Sequence, residues 1–407
     1  MRVIVHSIRR RTGQPGMADL LLFLLVLCLS GFAAPTDDEI SRAVRELGAA
    51  DFKTREQATT LLRSAGKAAE RALEQASQSD DPEVSVRARR LLIEVRMGIT
   101  PDWPEAMVEL ALGYEKLDSN GQDLALDRLR ETLGNKSVGF LLWRIGIGDA
   151  RECEAALKLL REPGDEDTAD RVIAILKGEL KPAEHRALAW AFDRKGRDLE
   201  ALQSLAKCGG QEDQLRHALV EKQVKALLEQ LRAQNHRQAA DAARQLAEAV
   251  PTEARFLYLQ AEALAHLGQH DEAKALRDKA LSLHPTEEAP HFTAGEMLTD
   301  LGQDAVAVRE WEMILKIPPR DEVYDINAHL RMAGAHERAR RYADAADCFE
   351  RALGLYHRAK AASSGMAMTK SEDEVRRHIA SLRAKAREKE QNLQPPLSDV
   401  ANPAPNE

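Results

Sequence analysis

Residues Ala254–Glu287 read ARFLYLQAEALAHLGQHDEAKALRDKALSLHPTE, and their spacing decides how the chain folds. A small residue, Ala261, stands at the eighth position of this stretch, and Gly268 stands at the fifteenth. Ala273, Ala280 and Pro285 follow at the twentieth, twenty-seventh and thirty-second. Small side chains let two antiparallel helices approach closely. The glycine takes the left-handed conformation that ends a first helix. The proline cannot continue a second helix, so it sets the turn into whatever comes next.

The same spacing recurs on both sides. Val220–Glu253 carries Ala239 and Pro251 in register, and Glu288–Asp321 carries Gly295, Gly302, Ala307, Trp311 and Pro319. After an insertion at Glu322–Asp325, Ile326–Ala359 carries Ala333, Tyr342, Ala345, Phe349 and Ala352. A period of about 34 residues with this punctuation resembles the tetratricopeptide repeat family. The resemblance covers 220–359, as units 220–253, 254–287, 288–321 and 326–359. Two departures stand out: Gln234 and Arg340 occupy the glycine position of the first and fourth units. The fourth unit also lacks the terminal proline.

The rest of the chain fits an all-α reading. Aromatic residues are only 4% of the 407, and alternating Val/Ile/Thr runs that would indicate strands are scarce. Stacked short helices are cored by Leu and Ala rather than by large rings. The expected fold is an α-solenoid of antiparallel helix pairs, a tetratricopeptide superhelix, preceded by a HEAT-like helical block.

That block spans 36–100. Thr36 with Glu39 forms a capping box before Ile40, Val44 and Leu47, and Asp81-Pro82-Glu83 starts a later helix. The phrase DDPEVSVRARRLL resembles HEAT-type repeats. Pro101 and Pro104 flank Trp103 and mark a boundary, with the tryptophan expected to plug the joint. Residues 105–219 read as irregular helical hairpins broken at Gly and Pro, Pro163-Gly164 among them, with a degenerate tetratricopeptide-like unit at 182–215. Asp165-Glu166-Asp167 reads as a helix N-terminus rather than a metal site. Ser371 and Glu374 open a capping helix over 371–392, and 393–407, rich in proline, reads as a disordered tail.

Residues 1–33 read as a signal peptide or an N-terminal anchor. Arg2, Arg9, Arg10 and Arg11 precede the apolar run Leu20–Leu29, and small residues flank Phe32. The expected location is extracytoplasmic, in a periplasm or cell envelope. Cys28 lies in this segment. Cys153, Cys208 and Cys348 are far apart and form no CxxC, so no disulfide framework is indicated.

The formal charge of −8 argues against general binding of a phosphate backbone, so no nucleic acid is expected. No phosphate-cradling glycine loop, GxSxG or HExxH occurs. His266 and His270 are four apart, but Gly268 between them puts them on different helices. No cofactor or metal is expected. The leading functional expectation is a non-enzymatic scaffold of the bacterial cell envelope. The alternative is an envelope enzyme or enzyme subunit with a site hidden in the middle helices.

The resemblance implies that the first helix of each unit lines a concave groove. It also implies that the second, fifth, ninth, twelfth and thirteenth positions face a ligand. The residues so placed include Arg255, Tyr258, Glu262 and His266; Phe292, Glu296 and Asp300; and Asn327, Leu330 and Glu337. Tyr258 and Phe292 occupy equivalent positions, as do Glu262 and Glu296. Aromatic and acidic pairs together would suit a protein or peptide offering an apolar side chain near a Lys or Arg. On this reading, Glu262→Lys with Glu296→Lys removes binding without disturbing the helices.

Overall fold

The computed structural model describes residues 35–162, 164–210, 212–318, 321–362 and 371–393. The expected leader with Cys28, the tail beyond Leu393, Pro163 and Pro319 lie outside them. Among the described residues the chain is all helical, without a strand, and its helices pack in consecutive pairs. Contacts divide it into two units, residues 1–196 and 197–407. The division falls at Gly196, inside the 182–215 pair.

Among the described residues the first unit holds ten α-helices. α1 (Asp37–Glu46), α2 (Phe52–Ala65), α3 (Glu70–Ala76) and α4 (Pro82–Arg96) enclose one core, around Ile40, Leu47, Leu62, Leu73 and Leu91. The Thr36–Glu39 capping box forms on both sides, and the Asp81 carboxylate accepts from the N–H groups of Glu83 and Val84. α5 (Glu105–Gly113), α6 (Ser119–Leu133), α7 (Val138–Ile147), α8 (Ala150–Arg161), α9 (Glu166–Ile175) and α10 (Pro182–Arg194) enclose a second core. Trp103 is buried in that second core, tilted against Phe140. Asp165 caps α9 by accepting from the Thr168 N–H at 2.6 Å, with Glu166 and Asp167 in the first turn. Gly98 and Gly139 cross backbone to backbone; a Cβ on Gly98 would lie 2.6 Å from the Gly139 Cα.

The described residues of the second unit hold ten more: α11 (Asp198–Leu205), α12 (Asp213–Arg232), α13 (His236–Ala249), α14 (Ala254–His266), α15 (His270–Leu281), α16 (Glu288–Asp300), α17 (Asp304–Ile314), α18 (Glu322–Arg338), α19 (Tyr342–Ala362) and α20 (Glu372–Leu393). α12–α13, α14–α15, α16–α17 and α18–α19 correspond to the four units read from the sequence, except that α12 begins at Asp213 rather than at Val220, and α12, α14, α16 and α18 stand side by side. The small residues of the repeat, Ala239, Ala261, Ala273, Ala280, Ala307, Ala333, Ala345 and Ala352, are all buried where helices meet.

The period also shows in the polar contacts. Arg255–Glu221 and Arg338–Asp304 each join residues 34 apart, Arg331–Glu296 joins residues 35 apart, and the Asp321 N–H donates to Glu288 across 33. The first of these ties the second repeat to the first, and the Arg338 and Arg331 pairs tie the fourth to the third. Arg309–Asp278, 31 apart, ties the third to the second, as in a stack whose members touch only their neighbours.

Gly268 and Gly302 sit in turns at φ +80° and +73°. Gln234 and Arg340 adopt the same left-handed conformation, at +62° and +56°. All four first helices close alike. The second residue past the cap donates back to a carbonyl five residues earlier, as Gln269 does to Leu264, Gln303 to Leu298, Asn235 to Gln230 and Arg341 to His336. The geometry of the turn is therefore a property of the repeat, not of the glycine.

Two departures in the fourth unit have direct consequences. The insertion Glu322–Asp325 is helical and lengthens α18 by one turn at its start. With no proline to stop it, α19 runs on to Ala362. α20 then covers α19: Val375, Ile379 and Leu382 bury against Ala345 and Ala346. Its Ser371–Glu374 capping box is formed.

Candidate functional site

The residues expected to face a ligand lie on α14, α16 and α18, and the structure divides them into three groups. The first is taken up by the fold. Tyr258 is fully buried and donates its hydroxyl to Glu310, whose other carboxylate oxygen meets His291 Nδ1. Burial, reinforced by the Glu310 charge, raises its pKa. Arg255 is buried between Glu253 and Glu221. Glu262 is buried too, held by Arg277 at 3.0 Å, Gln303 at 3.1 Å and His266. The expected aromatic and acidic pairs are corrected accordingly. At these positions an ionisable side chain reaches a partner on its own or another helix before it reaches solvent, so it stiffens the stack instead of lining a groove. The double lysine substitution would also fail as a clean test, because Glu262→Lys buries a cation beside Arg277.

The second group is occupied at the array's end. Glu337 meets His378 of α20 at 3.1 Å. Leu330 packs on the small core of Ile326, Tyr356 and Ala359. Thus α20 takes up Glu337 near the end of α18, and α19 takes up Leu330.

The third group remains at the surface. Phe292 is half-buried, edge-on to Tyr324 with ring centroids 6.0 Å apart. The Arg331 guanidinium lies 5.9 Å from the Phe292 centroid and 2.5 Å from Glu296. Asp300 is exposed at the end of α16 and makes no ion pair or hydrogen bond among the described residues. Asn327 turns its amide back to the Val323 carbonyl. His266 is exposed and stacks on His236, centroids 4.3 Å apart.

Tyr324 and Arg331 belong to this patch and were not expected. Tyr324 lies in the insertion. Once the insertion is helical, Tyr324, Asn327 and Arg331 fall at i, i+3 and i+7, on one face of α18. The aromatic residue inside the insertion was the available signal.

The middle helices pair several of their buried charged groups with each other, while the Tyr114 hydroxyl and the Arg144 Nε are buried without a hydrogen-bond partner among the described residues. Arg144 lies between Glu115 and Glu152, its guanidinium over the rings of Tyr114 and Trp143. Burial, helped by Glu152, pushes the Tyr114 hydroxyl up to about 12. Arg130 contacts the Gly134 carbonyl, Asn135 and Thr168. Cys153, Cys208 and Cys348 are buried free thiols. Among the described residues no group of three or more His, Cys, Asp or Glu could hold a metal ion, and no helix is long and apolar enough to cross a membrane.

No family model matches the sequence, and no curated protein is significantly similar to it. Among solved structures the chain is similar to a monomeric mutant of IFIT1 with Gppp-AAAA, at 14% identity and a TM-score of 0.30, over 86% of this chain and 94% of that one. It is similar also to the human IFIT1 dimer with PPP-AAAA, at 15% identity and a TM-score of 0.25, over 78% and 94%. TM-scores of this size leave the fold to rest on the chain's own helix pairing and repeat spacing.

Proposed function

We infer that the chain is a tetratricopeptide-type, non-enzymatic scaffold that holds a protein or peptide segment against α16 and α18, and that it works in a bacterial cell envelope. The observation that carries this reading is the surface cluster of Phe292, Tyr324 and Arg331. Aromatic rings and arginine supply most of the binding energy at interfaces. Here they stand on rigid helices, so little ordering entropy is lost on binding. Asp300 and the half-exposed Glu296 give the patch an acidic edge. The partner that fits presents an apolar side chain to the rings and a Lys or Arg to the acids. The buried Arg144, held between Glu115 and Glu152, gives polar groups of the middle helices a structural use and supports this reading over a catalytic site there. The leader-like 1–33 segment is the basis for the envelope location.

A photo-reactive residue at Phe292, compared with one at Ala305 on α17, tests the reading in cells. A discrete protein adduct from position 292 only, abolished by Asp300→Lys in a chain of unchanged circular dichroism, is the expected result. Equal labelling from both positions, or none from 292, defeats it. N-terminal sequencing of the mature chain tests the location, and a start near Ala34 is expected.

A further inference from the structure

The first unit contains an open cleft of about 970 Å³ that the repeat reading does not use. This is within the size of ordinary ligand sites, roughly 300–1,000 Å³. It lies between the two cores, where the ends of α2 and α4 face α7 and the end of α9. Its floor is apolar: Val95, Ile99, Val138, Leu142 and Trp143 contribute. Ile147 and Ile175 on its walls are 52% and 44% exposed. Large aliphatic side chains left this open cost free energy unless something covers them.

The rim is basic. Seven Lys or Arg side chains line the cleft against three Glu, in a chain whose formal charge is −8. Three of the cations already have carboxylate partners: Arg63 with Glu94 at 2.6 Å, Arg96 with Glu70 at 2.7 Å and Lys136 with Asp102 at 2.7 Å. Lys181 donates to the Gly146 carbonyl. Lys67, Arg171 and Lys177 make no ion pair or hydrogen bond among the described residues. They come from three segments, the turn after α2, α9 itself and the loop after it. Each can turn to an anion without giving up an existing partner.

We propose that this cleft binds an acidic peptide segment in extended form, its carboxylates meeting Lys67, Arg171 and Lys177 and its apolar side chains covering the floor and Ile147 and Ile175. The charge of the rim selects the sign of the ligand. The floor selects its class. A bare phosphodiester strand would leave the aliphatic residues exposed, and Trp143 is the single ring of the lining on which a base could stack, whereas single-strand binders stack successive bases on several. The site does not depend on the α16–α18 patch, which lies in the other unit and prefers the opposite charge.

The test is fluorescence anisotropy on the full chain with a labelled dodecapeptide alternating Glu and Leu. Parallel probes replace Leu by Ser, replace Glu by Lys, or substitute a thymidine oligonucleotide. Binding of the Glu–Leu peptide that weakens with salt is expected. It should fall about tenfold or more in the triple variant Lys67→Glu, Arg171→Glu, Lys177→Glu. Ile147→Ser with Ile175→Ser, which leaves every charge in place, should weaken it about fivefold. The apolar pair of changes decides the matter if the triple variant loses its helical spectrum. Failure to bind the Glu–Leu peptide overturns the proposal. So does equal affinity for the Ser or Lys peptide, tighter binding of the oligonucleotide, or unchanged affinity in folded variants.

Discussion

Gly295 shows how one residue sets a joint between helices. A Cβ built there would lie 2.4 Å from Nε1 of Trp311, a fully buried ring. The indole occupies the space a side chain would take, which is why glycine on α16 and tryptophan on α17 occur together. Gly295→Ala should destabilise the chain by about 1–3 kcal/mol through overpacking; a urea midpoint equal to the parent's would contradict this. His284 offers a second test. Burial alone would lower its pKa, but the bonds to Glu287 and the Thr252 carbonyl outweigh burial and raise it above the ordinary 6.5. The folded chain thus holds this proton more tightly than the unfolded chain. The stabilisation is complete below pH 6.5 and is lost as pH rises through the folded value. His336 has the opposite sign. Burial, with Arg341 adding to it, lowers its pKa, so its contribution is present above 6.5 and lost as pH falls. The two are separated by comparing variants. His284→Asn, which tolerates the positive φ of this position, should cost more stability at pH 6 than at pH 8. A loss independent of pH would remove His284 from the account.

At the scale of the element, the four first helices end in one geometry whatever residue stands at the turn. A side chain in the left-handed region costs about 1–2 kcal/mol, part of which glycine returns through its freer unfolded state. Gln234→Gly and Arg340→Gly should therefore each stabilise the chain by about 0.5–1 kcal/mol, read as a higher thermal midpoint. A lower midpoint would mean that the long side chains contribute contacts that outweigh the backbone strain. These two positions looked like departures from the repeat in sequence. The structure shows the departure to be chemical only: the six-residue closing bond forms at all four sites because helix pairing already dictates where each chain must turn.

For the second unit as a whole, the decisive feature is how the stack ends. An array of pairs leaves an apolar face at its last member, and α20 covers it with Val375, Ile379 and Leu382. Leu382→Asp should detach α20, lower stability by about 2–4 kcal/mol and make residues 371–393 the first site of limited proteolysis. Proteolysis beginning elsewhere, with the stability unchanged, would show that the last pair does not need its cover. The same helix takes up Glu337 through His378, so α20 reaches the end of α18 as well as α19.

The recurrence of Ala, Gly and Pro determined the helix pairs, their order and the side-by-side array of first helices. Those residues act through backbone conformation and close approach, which depend on neighbours only a few positions away. Ionisable and aromatic side chains were not legible in the same way. Tyr258, Arg255 and Glu262 occupy groove positions by count, yet each finds its partner one or more helices distant. Tyr324 joined the surface patch only because an insertion became a helical turn, and Arg331 joined it through Glu296 and the Phe292 ring on the neighbouring helix. Which polar groups face a ligand and which are spent on the fold depends on distances between helices, and only the tertiary structure sets those.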